Sequence, residues 1–127
     1  MTDRLQIEQL VHELHSARLE NDVERLCGLY SAEARLRIAG STDGKAIAIA
    51  AIGLTEIRPW LSILVKTFRL THYTLLSLSV DAPRAAAHWL VDIKSRITGK
   101  LVPTEIIDLI EVRNGRIASH IEFFIGN

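Results

Sequence analysis

Two carboxylic acids near the C-terminus stand among apolar neighbours. Asp108 lies between Ile106 and Ile110, and Glu122 lies between His120 and Phe124. In an extended strand, residues i and i+2 share a face. Each acid therefore shares its face with apolar side chains, and burying it there is costly unless it is paired or neutralised. Crowding and desolvation raise a carboxyl pKa, and a nearby imidazolium lowers it. A Glu or His tuned toward neutrality is what proton transfer to carbon or oxygen requires. The chemistry expected is therefore acid/base. Glu122 and Asp108 serve as acid/base and hydrogen-bond donor, with His120 as their partner. A plainer alternative stays open for each: Glu122 as a solvent-facing acid or an ion pair with Arg116 or Lys94, and Asp108 as a buried structural acid bonded to a His or Tyr.

The elements that must position these residues are legible. Asn114-Gly115 lies between two apolar runs, the strongest short-range hairpin signal, because a tight hairpin turn needs positive φ at both central residues. Period-two alternation predicts strands near 69–80, 85–97, 101–112 and 116–125, with turns at Asp81-Ala82-Pro83-Arg84 and Thr98-Gly99-Lys100. Upstream the period is helical. A first helix is expected over 3–21, with Ile7, Leu10, Val11, Leu14 and Arg18 on one stripe and Thr2 or Asp3 as cap. Asp22 caps a short second helix that turns Val23, Leu26, Cys27 and Tyr30 inward. A strand near 34–39 and a loop over 40–44 follow. The segment 45–52 is ambiguous and slightly favours strand. A third helix over 55–67 carries the stripe Leu54, Ile57, Trp60, Leu61, Leu64, Val65 and Phe68, with Pro59 in its first turn or at its start. Helices followed by sequential hairpins predict an α+β domain over residues 1–127, with three helices on one face of a curved, mostly antiparallel sheet.

Composition narrows the function. The chain has 127 residues, 48 % of them hydrophobic, and a mean hydropathy of +0.18. That apolar excess calls for an oligomer interface, a lined cavity, or both. Lys plus Arg equals Asp plus Glu, at 15 each, which argues against nucleic-acid binding. The single cysteine, Cys27, excludes an intrachain disulfide and cysteine-rich zinc sites, and it falls on an apolar helix face. A charged N-terminus and the lack of a run near ~18 apolar residues predict a cytoplasmic protein away from membranes. His12 and His15 are spaced i,i+3 without a carboxylate motif to complete a metal site, although His15 fits a pocket mouth. Neither a glycine-rich phosphate loop nor a Ser-His-Asp spacing stands out, so neither metal nor cofactor is expected.

The order of elements resembles the nuclear transport factor 2-like fold, whose members include ketosteroid isomerases, SnoaL-like polyketide cyclases, scytalone dehydratase and limonene epoxide hydrolase. Ile7-Glu8-Gln9-Leu10-Val11-His12, followed by Glu20-Asn21-Asp22-Val23-Glu24-Arg25-Leu26, resembles the opening helix pair of that superfamily. Asn114-Gly115-Arg116-Ile117, followed by Glu122-Phe123-Phe124, resembles the last hairpin of its SnoaL-like branch. Against the ketosteroid isomerases, the helix-one Tyr position falls on Leu14 and the base position on or near Ile38; the acid is kept as Asp108. Against limonene epoxide hydrolase, the Asp-Arg-Asp positions fall on Asp92, Leu90 and Glu122, without the Arg. Against the SnoaL-like cyclases, the last-strand acid falls on Glu122.

The resemblance implies an apolar cavity for a small hydrophobic molecule carrying a carbonyl or hydroxyl. Its expected catalytic set is Glu122, Asp108, His120 and Asp92. Its expected ligand-binding set is Tyr30, Trp60, Leu64, Phe68, His72, His88 and Phe124. His88, Leu90 and Asp92 face inward by the resemblance, yet Trp89, Val91 and Ile93 make the more apolar face of the same strand, so its parity stays open. His72 alternates with Leu70, Thr74, Leu76 and Leu78, which reads as an inward set. A homodimer is expected, and the odd-numbered stripe of the 85–97 strand is the alternative candidate for its interface. The leading function is cofactor-free isomerisation, cyclisation, dehydration or hydrolysis. The alternatives are a non-catalytic ligand-binding or dimeric assembly domain, and a protein-recognition domain.

Overall fold

The computed structural model describes residues 3–42 and 44–126. Thr2 as a cap, Asp43 in the loop and Asn127 lie outside the described residues. Helix α1 (Arg4–Leu19) starts at Asp3, whose side chain accepts from the Gln6 backbone while the Gln6 side chain accepts from the Asp3 backbone. This reciprocal pair satisfies two of the amide donors that every helix start leaves free. Asn21 ends the turn after α1 at φ 57°, and Asp22 caps α2 (Val23–Gly28). Tyr30 is not part of α2: it opens strand β1 (Tyr30–Thr42). β1 is longer than its apolar stretch because Gly40, expected in a loop, continues it at φ 110°. A Cβ there would lie 2.0 Å from the Phe124 carbonyl oxygen, so only glycine lets the two backbones approach this closely.

Strand β2 (Lys45–Ile52) leads to α3 (Leu54–Thr67), which buries Ile57, Leu61 and Val65. Pro59 lies in the second turn of α3 rather than the first. Its missing N–H frees the Thr55 carbonyl, and Thr55 is exposed, so water can take that bond. Strands β3 (Phe68–Asp81), β4 (Arg84–Ser95), β5 (Leu101–Arg113) and β6 (Arg116–Gly126) complete one sheet in the order β2-β1-β6-β5-β4-β3. All neighbours are antiparallel except β1 with β6, which run parallel. Asn114 and Gly115 close the β5–β6 hairpin at φ 51° and 75°, as the sequence requires.

The register lays the inner face out in rows. One row crosses all six strands: Ile49, Ile38, Glu122, Asp108, Ala87 and Leu78. The next row holds Ala51, Leu36, His120, Ile110, Ala85 and Val80. Helix α1 lies against β3 and β4, and α3 against β1, β2 and β3, so these rows form the floor of the core. The two acids thus lie side by side at the centre of a sheet roofed by helices.

Candidate functional site

Asp108 is wholly buried. Its Oδ2 accepts from Trp89 Nε1 at 2.8 Å and lies 2.9 Å from His15 Nε2; its Oδ1 lies 2.7 Å from His120 Nε2. A carboxylate only accepts, so both imidazoles place a proton on Nε2. In a neutral ring that leaves Nδ1 as an acceptor. The Tyr73 hydroxyl lies 2.7 Å from His15 Nδ1, and the Tyr30 hydroxyl lies 2.7 Å from His120 Nδ1. Each tyrosine hydroxyl thus holds the far nitrogen of one histidine. Tyr73, His15, Asp108, His120 and Tyr30 form one hydrogen-bonded chain, with Trp89 braced against its middle.

Glu122 is the neighbour of Asp108 across the strand pair. Arg18 Nη1 donates to both of its oxygens at 2.9 Å, from a side chain only 7 % exposed. His120 Nε2 lies 3.7 Å from the same carboxyl. The two acids respond in opposite directions. Burial would raise the Asp108 carboxyl, but the hydrogen bonds from His120 and His15 outweigh it and hold the group well below the usual carboxylate range. Burial raises Glu122 to about 7, against the opposing charge of Arg18 and with the help of the adjacent Asp108. Burial also pulls the His120 imidazole down, but its bond to Asp108 wins and leaves it raised. Asp108 is thus a fixed acceptor, and Glu122 is a carboxyl able to gain or lose a proton near neutrality.

The structure brings together Glu122, Asp108, His120 and Tyr30, and separates the others. Asp92 and His88 belong to the outer face, because β4 turns Ala85, Ala87, Trp89, Val91 and Ile93 into the core. The apolar odd-numbered face packs into the core, so neither the inward placement of Asp92, Leu90 and His88 by resemblance nor the odd-numbered stripe as a dimer interface holds. His72 also faces outward. β3 carries two irregularities, between Thr71 and Thr74 and between Leu75 and Ser77, and His72 takes φ 57° in the first. The first shifts parity, so that Tyr73 and Leu75 face inward; the second restores it at Leu78 and Val80. His72 pairs outside with Asp92 at 3.0 Å, and His88 with Glu105 at 3.2 Å. Trp60 is 38 % exposed and sits beyond the buried edge of the α3 stripe. Leu64 and Phe68 are half-buried against the core, and Phe124 is buried within it.

Arg18, His15, Tyr73 and Trp89 join the site without being named for it by the sequence, apart from the pocket-mouth reading of His15. The signal for Arg18 was present: a charged residue on the apolar stripe of α1 needs a buried partner. Tyr73 was hidden by the parity shift beside it. Asp108, His120 and Glu122 also form the one potential cation-binding group among the described residues, with ligand atoms all within 4.8 Å. Arg18 already holds both Glu122 oxygens, and three N–H groups hold Asp108, so a cation would have to displace a guanidinium. Three recesses of about 470, 660 and 460 Å³ open on the outer face of the sheet; the first is lined by Ala86, Leu109 and Ile121.

A curved sheet roofed by three helices, with ionisable groups gathered on its inner face, defines an α+β cone. The SnoaL-like domain family matches residues 11–120, and the chain belongs to it. A crystal structure of a candidate isomerase from Bacillus subtilis shares 20 % identity over 98 % of this chain and 89 % of its own, with a TM-score of 0.83. A candidate SnoaL-like polyketide cyclase from Jannaschia sp. CCS1 shares 14 % identity over 98 % and 91 %, at 0.77. An LEH-like epoxide hydrolase of M. tuberculosis shares 12 % over 94 % and 83 %, at 0.74. At these identities the likeness is one of fold. No curated protein gives a significant match. No helix among the described residues is long and apolar enough to cross a membrane.

Proposed function

We propose that this chain is a cofactor-free acid/base protein of the SnoaL-like family, acting on a small hydrophobic molecule that carries a carbonyl or hydroxyl. The carrying observation is Glu122: a buried carboxyl raised to about 7, clamped by Arg18 and set beside a carboxylate that cannot take its proton. In this reading Glu122 moves the proton, and Arg18 steadies its anionic form. Asp108 orients His15 and His120, and Tyr30 and Tyr73 fix their far nitrogens. The ligand lies between α3 and the last two strands, against Leu64, Phe68 and Phe124. Isomerisation, cyclisation, dehydration and hydrolysis all draw on one such proton-transfer group. A homodimer through the outer face, where Leu90, Leu109 and Ile125 are exposed, and a cytoplasmic location complete the proposal. Light scattering during size exclusion should give twice the chain mass.

The test is proton exchange. Small ketones incubated with the protein in D₂O should take up deuterium at the carbon next to the carbonyl, followed by NMR. Glu122→Gln should slow this at least about a hundredfold, the usual scale for losing a general base. Equal rates with and without active Glu122 would end the reading. A second reading, a binding domain without chemistry, has its own support: both acids are engaged in internal pairs and at most 2 % of either side chain is exposed. It predicts ligand retention during purification with no exchange at all.

A further inference from the structure

We propose that Arg18 is the docking group for the oxygen of a small carboxylate or carbonyl ligand, received on the guanidinium edge that Glu122 does not use. This rests on the reading that the ligand reaches Glu122. A guanidinium carries five N–H donors in a planar fork. Arg18 commits one nitrogen, Nη1, to both Glu122 oxygens, and its Nε and Nη2 make no hydrogen bond with the described residues. Arg25, on the surface, is the contrast: it commits Nε, Nη1 and Nη2 to Glu13, Glu20 and Ser16. An unspent fork is ordinary in solvent and costly inside a protein.

The location of the spare donors follows from what is enclosed. Among the described residues, Asn21 Oδ1 is the one fully enclosed side-chain polar atom without a partner. The Arg18 side chain is buried but not fully closed off, at 7 % exposed, and its spare nitrogens are not among the enclosed atoms without a partner. A cation in that setting repels cationic ligands and leaves polarity unmatched against a purely apolar one. It suits an oxygen acceptor, best a planar carboxylate or a carbonyl gaining negative charge, because charge-assisted hydrogen bonds are strongest where water is scarce. The same guanidinium would then hold the ligand oxygen on one edge and Glu122 on another, fixing the distance between the ligand and the proton carrier.

Benzoate is a suitable probe. In protein labelled with ¹⁵N, the Arg18 Nε–H resonance should shift saturably as benzoate is added. Glu122→Gln should bind benzoate several-fold more tightly, because a neutral amide replaces a competing anion on the same guanidinium. Arg18→Gln should weaken binding by about tenfold or more. The wild-type resonance carries the test if that variant fails to fold. An Arg18 signal unmoved up to about 50 mM benzoate, a concentration that detects even millimolar affinities, overturns the inference, as does binding that ignores both variants. The two readings fail separately. Loss of proton exchange in Glu122→Gln with a silent Arg18 sinks the docking role alone. Docking on Arg18 with exchange intact in that variant sinks the acid/base role of Glu122 alone.

Discussion

The inner and outer faces of the sheet carry the same pairing, histidine with acid, under opposite conditions. Inside, His15 and His120 both bond Asp108 with at most 2 % of any of these side chains exposed. Outside, His72 pairs with Asp92 at 78 % and 26 % exposure, and His88 with Glu105 at 36 % and 44 %. The inner carboxyls move in opposite directions, Asp108 down and Glu122 up to about 7. The contrast teaches that residue types in proximity do not make a site. Water weakens the outer pairs and frees their donors and acceptors, whereas its exclusion makes every proton position inside a matter of stability.

The sharpest way to break this comparison is to remove one carboxylate from each face. Asp108→Asn should cost about 3–5 kcal/mol in urea unfolding, because it removes the one charge that three buried N–H groups share. Asp92→Asn should cost under about 1 kcal/mol. Equal losses would show that burial is not what separates the faces.

The pH dependence of stability comes next. A carboxyl raised in the folded state binds more protons there than in the unfolded chain, so Glu122 makes stability fall as pH climbs from its ordinary 4.5 to about 7. The total is of order 3 kcal/mol. Asp108 acts in the reverse sense: its contribution is present above the ordinary carboxyl value and is lost as acid protonates it. Urea midpoints taken across this range should show the slope, and Glu122→Gln should flatten it between 4.5 and 7.

Smaller effects grade the inner chain itself. Tyr30→Phe leaves His120 Nδ1 buried without a partner and should cost about 1–3 kcal/mol; Tyr73→Phe, at the half-buried end, should cost nearer 1 kcal/mol or less. Smallest of all, Glu105→Gln should shift stability by roughly half a kcal/mol, and 1 M salt should remove the difference. Chemical denaturation at two ionic strengths measures both.

Much of this arrangement is legible in the sequence. Asn114-Gly115 fixes the last hairpin, and alternation then puts Asp108, His120, Glu122 and Phe124 on one face, where the structure has them. The misreadings share a physical cause. A strand's parity is a single choice that flips every side chain on it. In β4 the apolar weight of Trp89, Val91 and Ile93 made that choice, not the match of Asp92 to a relative's acid. In β3 two local irregularities make the choice twice, and no alternation rule anticipates them. Arg18 could be placed on its stripe but not paired, since its partner is brought to it by the topology and not by the local pattern.

That topology has a consequence in time. Arg18 and Glu122 are separated by 104 positions, and β6 lies between β1 and β5, joining the early hairpin to the later strands. During synthesis the chain must carry a guanidinium on an apolar helix face until β6 appears. Before β6 is laid down, β1 and β2 have no bonded route to the remaining strands, and Arg18 and Asp108 lack their last-strand partners. Closure of the sheet is therefore close to all-or-none: nascent chains stalled before β6 should remain open to protease and chaperone, and this eleven-residue strand converts two separate sheets into one and closes the acidic centre in the same event.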